Sequence, residues 1–373
     1  MRRRASSALR ALLLLALAGC AQRAYAPLEA APIKPELVAV DLFLIGDAGR
    51  PAPGGEPVLK ALRVQLKEHP DRAFVVFLGD NIYPEGMPDS TASTRDAAEW
   101  KIEQQMEVLK DAGVHGVFVP GNHDWAPGTR DGWRAVVREG RFVVENGGDL
   151  VDFQPRYGCP GPVVRDLGDV VRLVMLDTQW WLQEESPKPQ GKDSGCAFGT
   201  ADEVTKGVEA ALAGAGQRVT VVVGHHPTVS GGEHGGYFSW WNYLFPPYTW
   251  ARKHGFFAPQ DVGSTDYGKL RESLLRAFSD NPPDLYAAGH EHNLQVLRGA
   301  EARYVVVSGG GIYAHWTPVS VIAPTLYARQ ASGYVRLTVR GDGWARLSVQ
   351  AVDASGTPHE DYSFWIRPDT VTQ

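Results

Sequence analysis

Cysteine is scarce in this chain, with three residues in 373. A disulfide-dense scaffold is therefore excluded, and a packed core must hold the fold, for which the length is ample. A basic excess is missing too. Lysine plus arginine number 37 against 43 aspartate plus glutamate, a formal net charge of -6. A bulk basic surface for nucleic acid is excluded on those grounds, although formal charge counts no ions and a local positive site made by metals stays open. No low-complexity tract suggests disorder, and a composition of 43% hydrophobic and 21% charged residues is that of a globular protein. Internal repeats and a second linker are absent, which favours one domain. The apolar run at residues 11–18 falls well short of the ~20 residues that a permanent bilayer-spanning helix needs.

That run belongs to a targeting segment. Arg2, Arg3 and Arg4 form a positive stretch before it, and it ends in Leu17-Ala18-Gly19-Cys20. The ending resembles the lipobox of bacterial lipoproteins. The resemblance implies cleavage before Cys20 and lipidation of its thiol, which anchors the protein to a membrane at ~0.8 kcal/mol per buried CH₂. It also implies a place in the cell envelope, and Ala21 after Cys20 resembles lipoproteins of the outer membrane and periplasm. An ordinary secretory signal with an incidental cysteine is the alternative. Residues 1–19 are thus read as a signal peptide, 20–37 as an Ala- and Pro-rich tether, and 38–373 as the domain. Cys159 and Cys196 remain after cleavage. Export permits a disulfide between them, two free thiols stay open, and neither lies near a motif with ligand chemistry.

Within the domain one pattern recurs: an apolar, β-branched run of strand length ends in glycine, and a metal-capable residue follows. Residues 40–46 lead to Asp47, 73–79 to Asp80, 117–121 to Asn122, 219–224 to His225 and 284–289 to His290. Near-continuous apolar runs suit strands buried on both faces. Between them lie helical stripes, Ala98-Ile102-Met106-Leu109 and Tyr267-Leu270-Leu274-Phe278. The alternation predicts an α/β fold with a largely parallel buried sheet, whose strand ends bring the five polar residues to one edge. Runs at 171–176, 303–308, 334–340 and 345–351 are expected to form a second sheet packed on the first. The segment 235–264 carries ten aromatic residues, Tyr237, Phe238, Trp240, Trp241, Tyr243, Phe245, Tyr248, Trp250, Phe256 and Phe257. It is expected to pack over the mouth of the site, with a membrane-contacting loop as the alternative.

Asp, Asn and His are oxygen and nitrogen donors of the kind that hold transition metals. The motifs are Asp47-Ala48-Gly49, Gly79-Asp80-Asn81-Ile82-Tyr83, Gly121-Asn122-His123-Asp124, Gly224-His225-His226-Pro227 and Gly289-His290-Glu291-His292, joined by Met175-Leu176-Asp177-Thr178 and Asn293-Leu294-Gln295. In this order they resemble the calcineurin-like metallophosphoesterases, and among them the purple acid phosphatases of the tartrate-resistant type. The resemblance implies two packed mixed β-sheets flanked by helices. Most such relatives have a histidine two residues after the first aspartate; here it is Gly49, and Tyr83 stands where the purple enzymes bind Fe(III) as phenolate. The implied ligands are Asp47, Asp80, Tyr83 and His292 for Fe(III), and Asp80, Asn122, His225 and His290 for a divalent ion (Fe, Zn or Mn), with Asp80 bridging. The implied activity is hydrolysis of a small phosphorylated substrate, a phosphate monoester, by metal-bound hydroxide with an acid optimum. His123 and His234 are the candidate general acids. Asp124 is expected to orient His123 or its own loop. A phosphodiesterase or nucleotidase with a Mn or Zn pair is the nearest alternative, and a non-catalytic surface binding lipoprotein a remote one.

Overall fold

Strands β1 (Val38–Ile45), β2 (Ala73–Phe77), β3 (His115–Phe118) and β4 (Val151–Phe153) run parallel, side by side. In this computed structural model, which describes residues 31–126, 129, 131–183, 187–238, 246–253 and 259–366, they form half of one seven-stranded sheet. The signal segment, Cys20 and most of the tether lie outside the described residues, as do Trp240, Trp241, Tyr243, Phe245, Phe256 and Phe257. The other half is an antiparallel meander of β12 (Gly333–Arg340), β13 (Ala345–Val352) and β14 (Pro358–Ile366), with β12 paired to β1.

The second sheet also has seven strands, in the order β11-β9-β10-β8-β7-β6-β5. Its centre is parallel: β6 (Val171–Met175), β7 (Val219–Val223), β8 (Leu285–Ala288) and β10 (Tyr304–Ser308). Its edges, β5 (Val163–Leu167), β9 (Leu294–Arg298) and β11 (Thr325–Arg329), are antiparallel.

Side-chain alternation explains why both faces of each sheet are apolar. Leu42, Leu44, Val76 and Val117 face inward and meet Leu173, Met175, Val221, Val223 and Ala287 of the opposite sheet in one core. Phe43, Ile45, Val75, Phe77 and Phe118 face outward under α1 (Pro57–Leu66), α2 (Arg95–Ala112) and α3 (Gly132–Gly147). Val174, Val222, Tyr286 and Ala288 face outward on the other side, under α5 (Ala201–Ala213) and α7 (Thr265–Phe278); the short α4 (Gln179–Leu182) joins that layer. The two helical stripes read from the sequence are the buried faces of α2 and α7. The result is the helix–sheet–sheet–helix sandwich that the motifs imply.

The division of strands differs from the expectation. The runs at 334–340 and 345–351 extend the first sheet, and the motif strands before His225 and His290 lie in the second. The five motifs therefore meet across two sheets rather than along one edge. Strand pairing is a long-range choice, and apolar runs buried on both faces carry no mark of which sheet they join. Cys159 and Cys196 are joined by a disulfide, with their Cα atoms 5.6 Å apart. Among the described residues no helix is long and apolar enough to cross a membrane.

Candidate metal centre

The chain turns sharply where each strand ends. Asp47, Asp80 and His290 take left-handed backbone angles, with φ of 61°, 56° and 72°. Such angles are uncommon outside glycine and concentrate where a site over-determines the backbone. They aim the first two carboxylates and the imidazole into the gap between the sheets. The loops also approach one another closely. A Cβ on Gly121 would lie 2.4 Å from Asp80 Oδ1, and one on Gly49 would lie 2.5 Å from both Asp80 O and Ile82 N. No side chain fits at position 49, because the Asp80 turn fills that space. The turn is pinned there: Gly49 N donates to Asp80 O at 3.0 Å and Tyr83 N to Gly49 O at 3.1 Å.

Two clusters of donor atoms share Asp80. In the first, Tyr83 Oη lies 2.9 Å from Asp47 Oδ1, 3.0 Å from Asp80 Oδ2 and 2.9 Å from His292 Nε2. In the second, Asn122 Oδ1 lies 3.0 Å from both His225 Nε2 and His290 Nδ1, and His225 Nε2 is 3.4 Å from Asp80 Oδ2. Ligand atoms of Asp47, Asp80 and His225 fall within 4.8 Å of one another. All seven sequence-expected ligands are thus brought together, and all but His292 are at least nine-tenths buried.

The donor chemistry fits a cation. His225 Nδ1 faces the Leu78 carbonyl at 2.8 Å, and His290 Nε2 faces the Gln260 carbonyl at 3.0 Å. A carbonyl only accepts, so each of these nitrogens carries a proton, and the other nitrogen of each ring, once neutral, turns a lone pair toward Asn122 Oδ1. Two lone pairs, an amide oxygen and a carboxylate converge, and a positive ion satisfies them together. The electrostatics agree. Burial works against ionised Asp80, yet His225 and His123 outweigh it and hold the carboxyl below its usual range. Burial likewise disfavours charged His225, but Asp80 and Asp47 raise it to about 9, so a metal must displace a proton there. Burial, then the neighbouring histidines, keep His290 neutral and ready to ligate. Burial, then Asp47 and Asp80, push the Tyr83 phenol well up, so it ionises only with a cation among these groups.

A supporting layer braces the ligands. Asp124 accepts from the amides of Asn81, Ile82 and Gly121 at 2.9, 3.0 and 2.7 Å, tying its own loop to the Asp80 turn. Thr178 Oγ1 accepts from the amides of His225 and His226, each at 3.1 Å. His226 is buried between Thr178 and Gln260 and takes a positioning role. His123 packs its ring 4.5 Å from that of Tyr83, with Nδ1 on Pro84 O at 2.6 Å. His234 packs 4.1 Å from the His290 ring and bonds Asp261 at 2.8 Å, and Asp261 is gripped in turn by both Arg252 donors. Arg252 sits on α6 (Pro246–Lys253), over the Phe238 ring. The described part of the 235–264 segment therefore packs at the site, through Gln260, Asp261 and Arg252. The sequence reading missed these three and His315, whose ring lies 4.6 Å from that of His292. Carboxylates and amides in loops are ordinary, and nothing local marks them.

Comparison with known proteins agrees with this geometry. Purple acid phosphatase 17 of Arabidopsis thaliana is 23% identical over 282 residues, 74% of this chain and 69% of the relative. Among solved structures, a purple acid phosphatase from yellow lupin (Lupinus luteus) seeds superposes with a TM-score of 0.56 at 17% identity, covering 91% of this chain and 56% of the lupin chain. GAP50, the anchor in the inner membrane complex of Plasmodium, superposes with the same score at 16% identity, covering 88% and 89%. These structures share the fold. The calcineurin-like phosphoesterase model matches residues 41–294, a span that runs from β1 through every donor described above. Members of that family hold a dinuclear metal centre, as the two clusters sharing Asp80 suit, and this chain belongs to the calcineurin-like phosphoesterase family.

Proposed function

We propose that the protein is an acid phosphatase that hydrolyses phosphate monoesters with an Fe(III)–M(II) pair, M being Fe, Zn or Mn. One observation carries the reading: the Tyr83 hydroxyl touches Asp47, Asp80 and His292 within 3.0 Å, where position 49 admits no side chain. Tyr83 thus takes the place of the histidine that Gly49 cannot supply. Two carboxylates and a phenolate are hard oxygen donors suited to Fe(III), and Asn122, His225 and His290 with shared Asp80 suit a divalent ion. When bound, such a pair supplies Lewis-acid charge at the phosphate and an acidified water.

The chain's own residues do the rest. His123 and His234 flank the ligand rings on two sides and can hold the substrate phosphate and move a proton. His234 is the better proton donor to a leaving alkoxide. Its Nδ1 is fixed by the Asp261 carboxylate, itself held by Arg252, which leaves Nε2 as the free nitrogen. His123 rests on a neutral carbonyl and serves to orient phosphate. The fold alone does not decide catalysis, since a solved neighbour is described as an anchor. Intact donors in both clusters support an enzyme over a binding relic. Retained Tyr83 likewise favours the iron reading over a Mn or Zn phosphodiesterase.

The visible spectrum of iron-loaded protein tests this, with Tyr83→Phe beside it. A broad purple band lost in the variant is expected, along with a pH–rate optimum on the acid side. No band with both sites filled would move the assignment to a divalent-metal phosphoesterase.

The division into a signal at 1–19, a tether at 20–37 and a domain at 38–373, with lipid on Cys20 in the cell envelope, stays part of this proposal. The Cys159–Cys196 disulfide supports export to an oxidising compartment. Cys20→Ser should shift the protein from the detergent-extracted membrane fraction to the soluble one; an unchanged distribution would remove the lipid anchor.

A further inference from the structure

Glu139 is an acid with no route to solvent. It sits fully buried on α3, behind the loops that carry Asp80 and Asn122, and is not itself among the metal donors. Its Oε1 lies 3.1 Å from Asn81 Nδ2, and its Oε2 has no hydrogen-bond partner. The same Asn81 nitrogen lies 2.9 Å from Val119 O and 3.1 Å from Asp124 Oδ2. An amide nitrogen carries two hydrogens, and here three acceptors surround it. One acceptor is left over, and a proton held between the two carboxyl groups removes the conflict. Their other partners decide which group holds it. Asp124 accepts from the amides of Asn81, Ile82 and Gly121, which favours its ionised form, whereas Glu139 has only the shared nitrogen. Burial, and then the charge of Asp124, push the Glu139 carboxyl well up, and the two side chains lie within hydrogen-bonding reach. The Asn81 carbonyl is held too, by Gln105 Nε2 of α2 at 2.9 Å.

We propose that Glu139 is a positioning residue of the metal centre: a neutral acid that donates to Asp124 and so holds the Asp80 turn and the Asn122 loop at one spacing. The proposal rests on reading Asp80 and Asn122 as metal ligands, and not on the choice of iron. Asn81 follows Asp80 directly, and Asp124 stands two residues after Asn122. Asp124 grips amides on both loops, so a shift of its carboxylate moves both ligands. An ionised Glu139 would set a second buried negative charge beside Asp124 and push it away. A neutral acid supplies the hydrogen bond without that repulsion, and it adds no charge behind the shared Asp80 carboxylate. In this way α3, which carries no ligand, helps to fix the second donor cluster.

Glu139→Gln keeps a neutral donor and acceptor, and Glu139→Leu removes both at similar volume. The infrared difference between wild type and the Gln variant at neutral pH should show a carboxylic-acid carbonyl band lost in the variant. Zn(II) affinity, measured by competition with a chelator, should fall about 10- to 100-fold in the Leu variant and return close to wild type in the Gln variant. In chelated protein, backbone hydrogen exchange across 80–83 and 120–124 should quicken in the Leu variant alone. A missing acid band, or a Gln variant as weak as the Leu variant, would overturn the proposal, and so would a folded Leu variant with wild-type affinity and exchange. Should the Leu variant not fold, the acid band and the affinity of the Gln variant decide. Wild-type protein that takes up no Zn(II) would instead defeat the ligand reading, and the exchange rates would still decide the role of Glu139.

Discussion

His123 and His234 are alike as residues and differ by their partners. A carboxylate braced by an arginine holds one ring, and a backbone carbonyl holds the other. General-acid help matters most when the leaving group is a poor one. His234→Ala is therefore expected to lower kcat by about 100-fold on an alkyl phosphate and clearly less on 4-nitrophenyl phosphate. His123→Ala should chiefly raise KM on both. A His234 variant that loses the same factor on the two substrates would take proton donation away from it. The sequence pointed to both histidines only through the resemblance, since each stands where the purple acid phosphatases carry a histidine after a ligand motif. Asp261, which distinguishes them, was not legible. It lies 27 positions from His234 in an aromatic loop, and only folding shows that the two meet.

The strand-to-loop junction is the element that builds this centre. Its signature, an apolar run, a glycine and then a donor, was readable because each part has a local cause. The run fills a sandwich core, the glycine admits a neighbouring backbone, and the donor needs the turn. What could not be read was the partner of each strand, and so the site's placement between two sheets rather than along one. Gly49 shows how tightly the junctions interlock. Gly49→Ala puts a methyl group about where Asp80 O and Ile82 N lie. The Asp80 turn must move, and Asp80 serves both clusters. Metal content after gel filtration should fall from two ions per chain toward none, while far-ultraviolet circular dichroism stays near wild type. Full retention of both ions would show that the turn yields without disturbing the ligands.

Across the whole molecule, several acids are buried away from solvent. Burial raises Asp177 to about 8 and pushes Glu139 and Glu56 up as well. A carboxyl whose folded pKa is raised contributes stability below its unfolded value near ~4 and loses it as pH climbs through the folded value. His225, raised to about 9, behaves the same way above its unfolded value near ~6.5. His226 and His290 act in the opposite sense. Burial holds both neutral, so protonation below ~6.5 costs stability. Chelated protein should therefore melt highest near pH ~6.5 and lose stability toward pH ~8.5. Asp177→Asn should flatten the upper limb, and a melting temperature that rises over that interval would contradict the account. The two-sheet architecture also governs when the centre can come into being. The His290 amide reaches the Asp47 carboxylate across 243 positions. No shorter stretch of unfolded chain can assemble the donors. On the proposed function, the ions come from whichever compartment hosts folding, and the metal supply there, more than ligand preference, sets which second metal the protein holds.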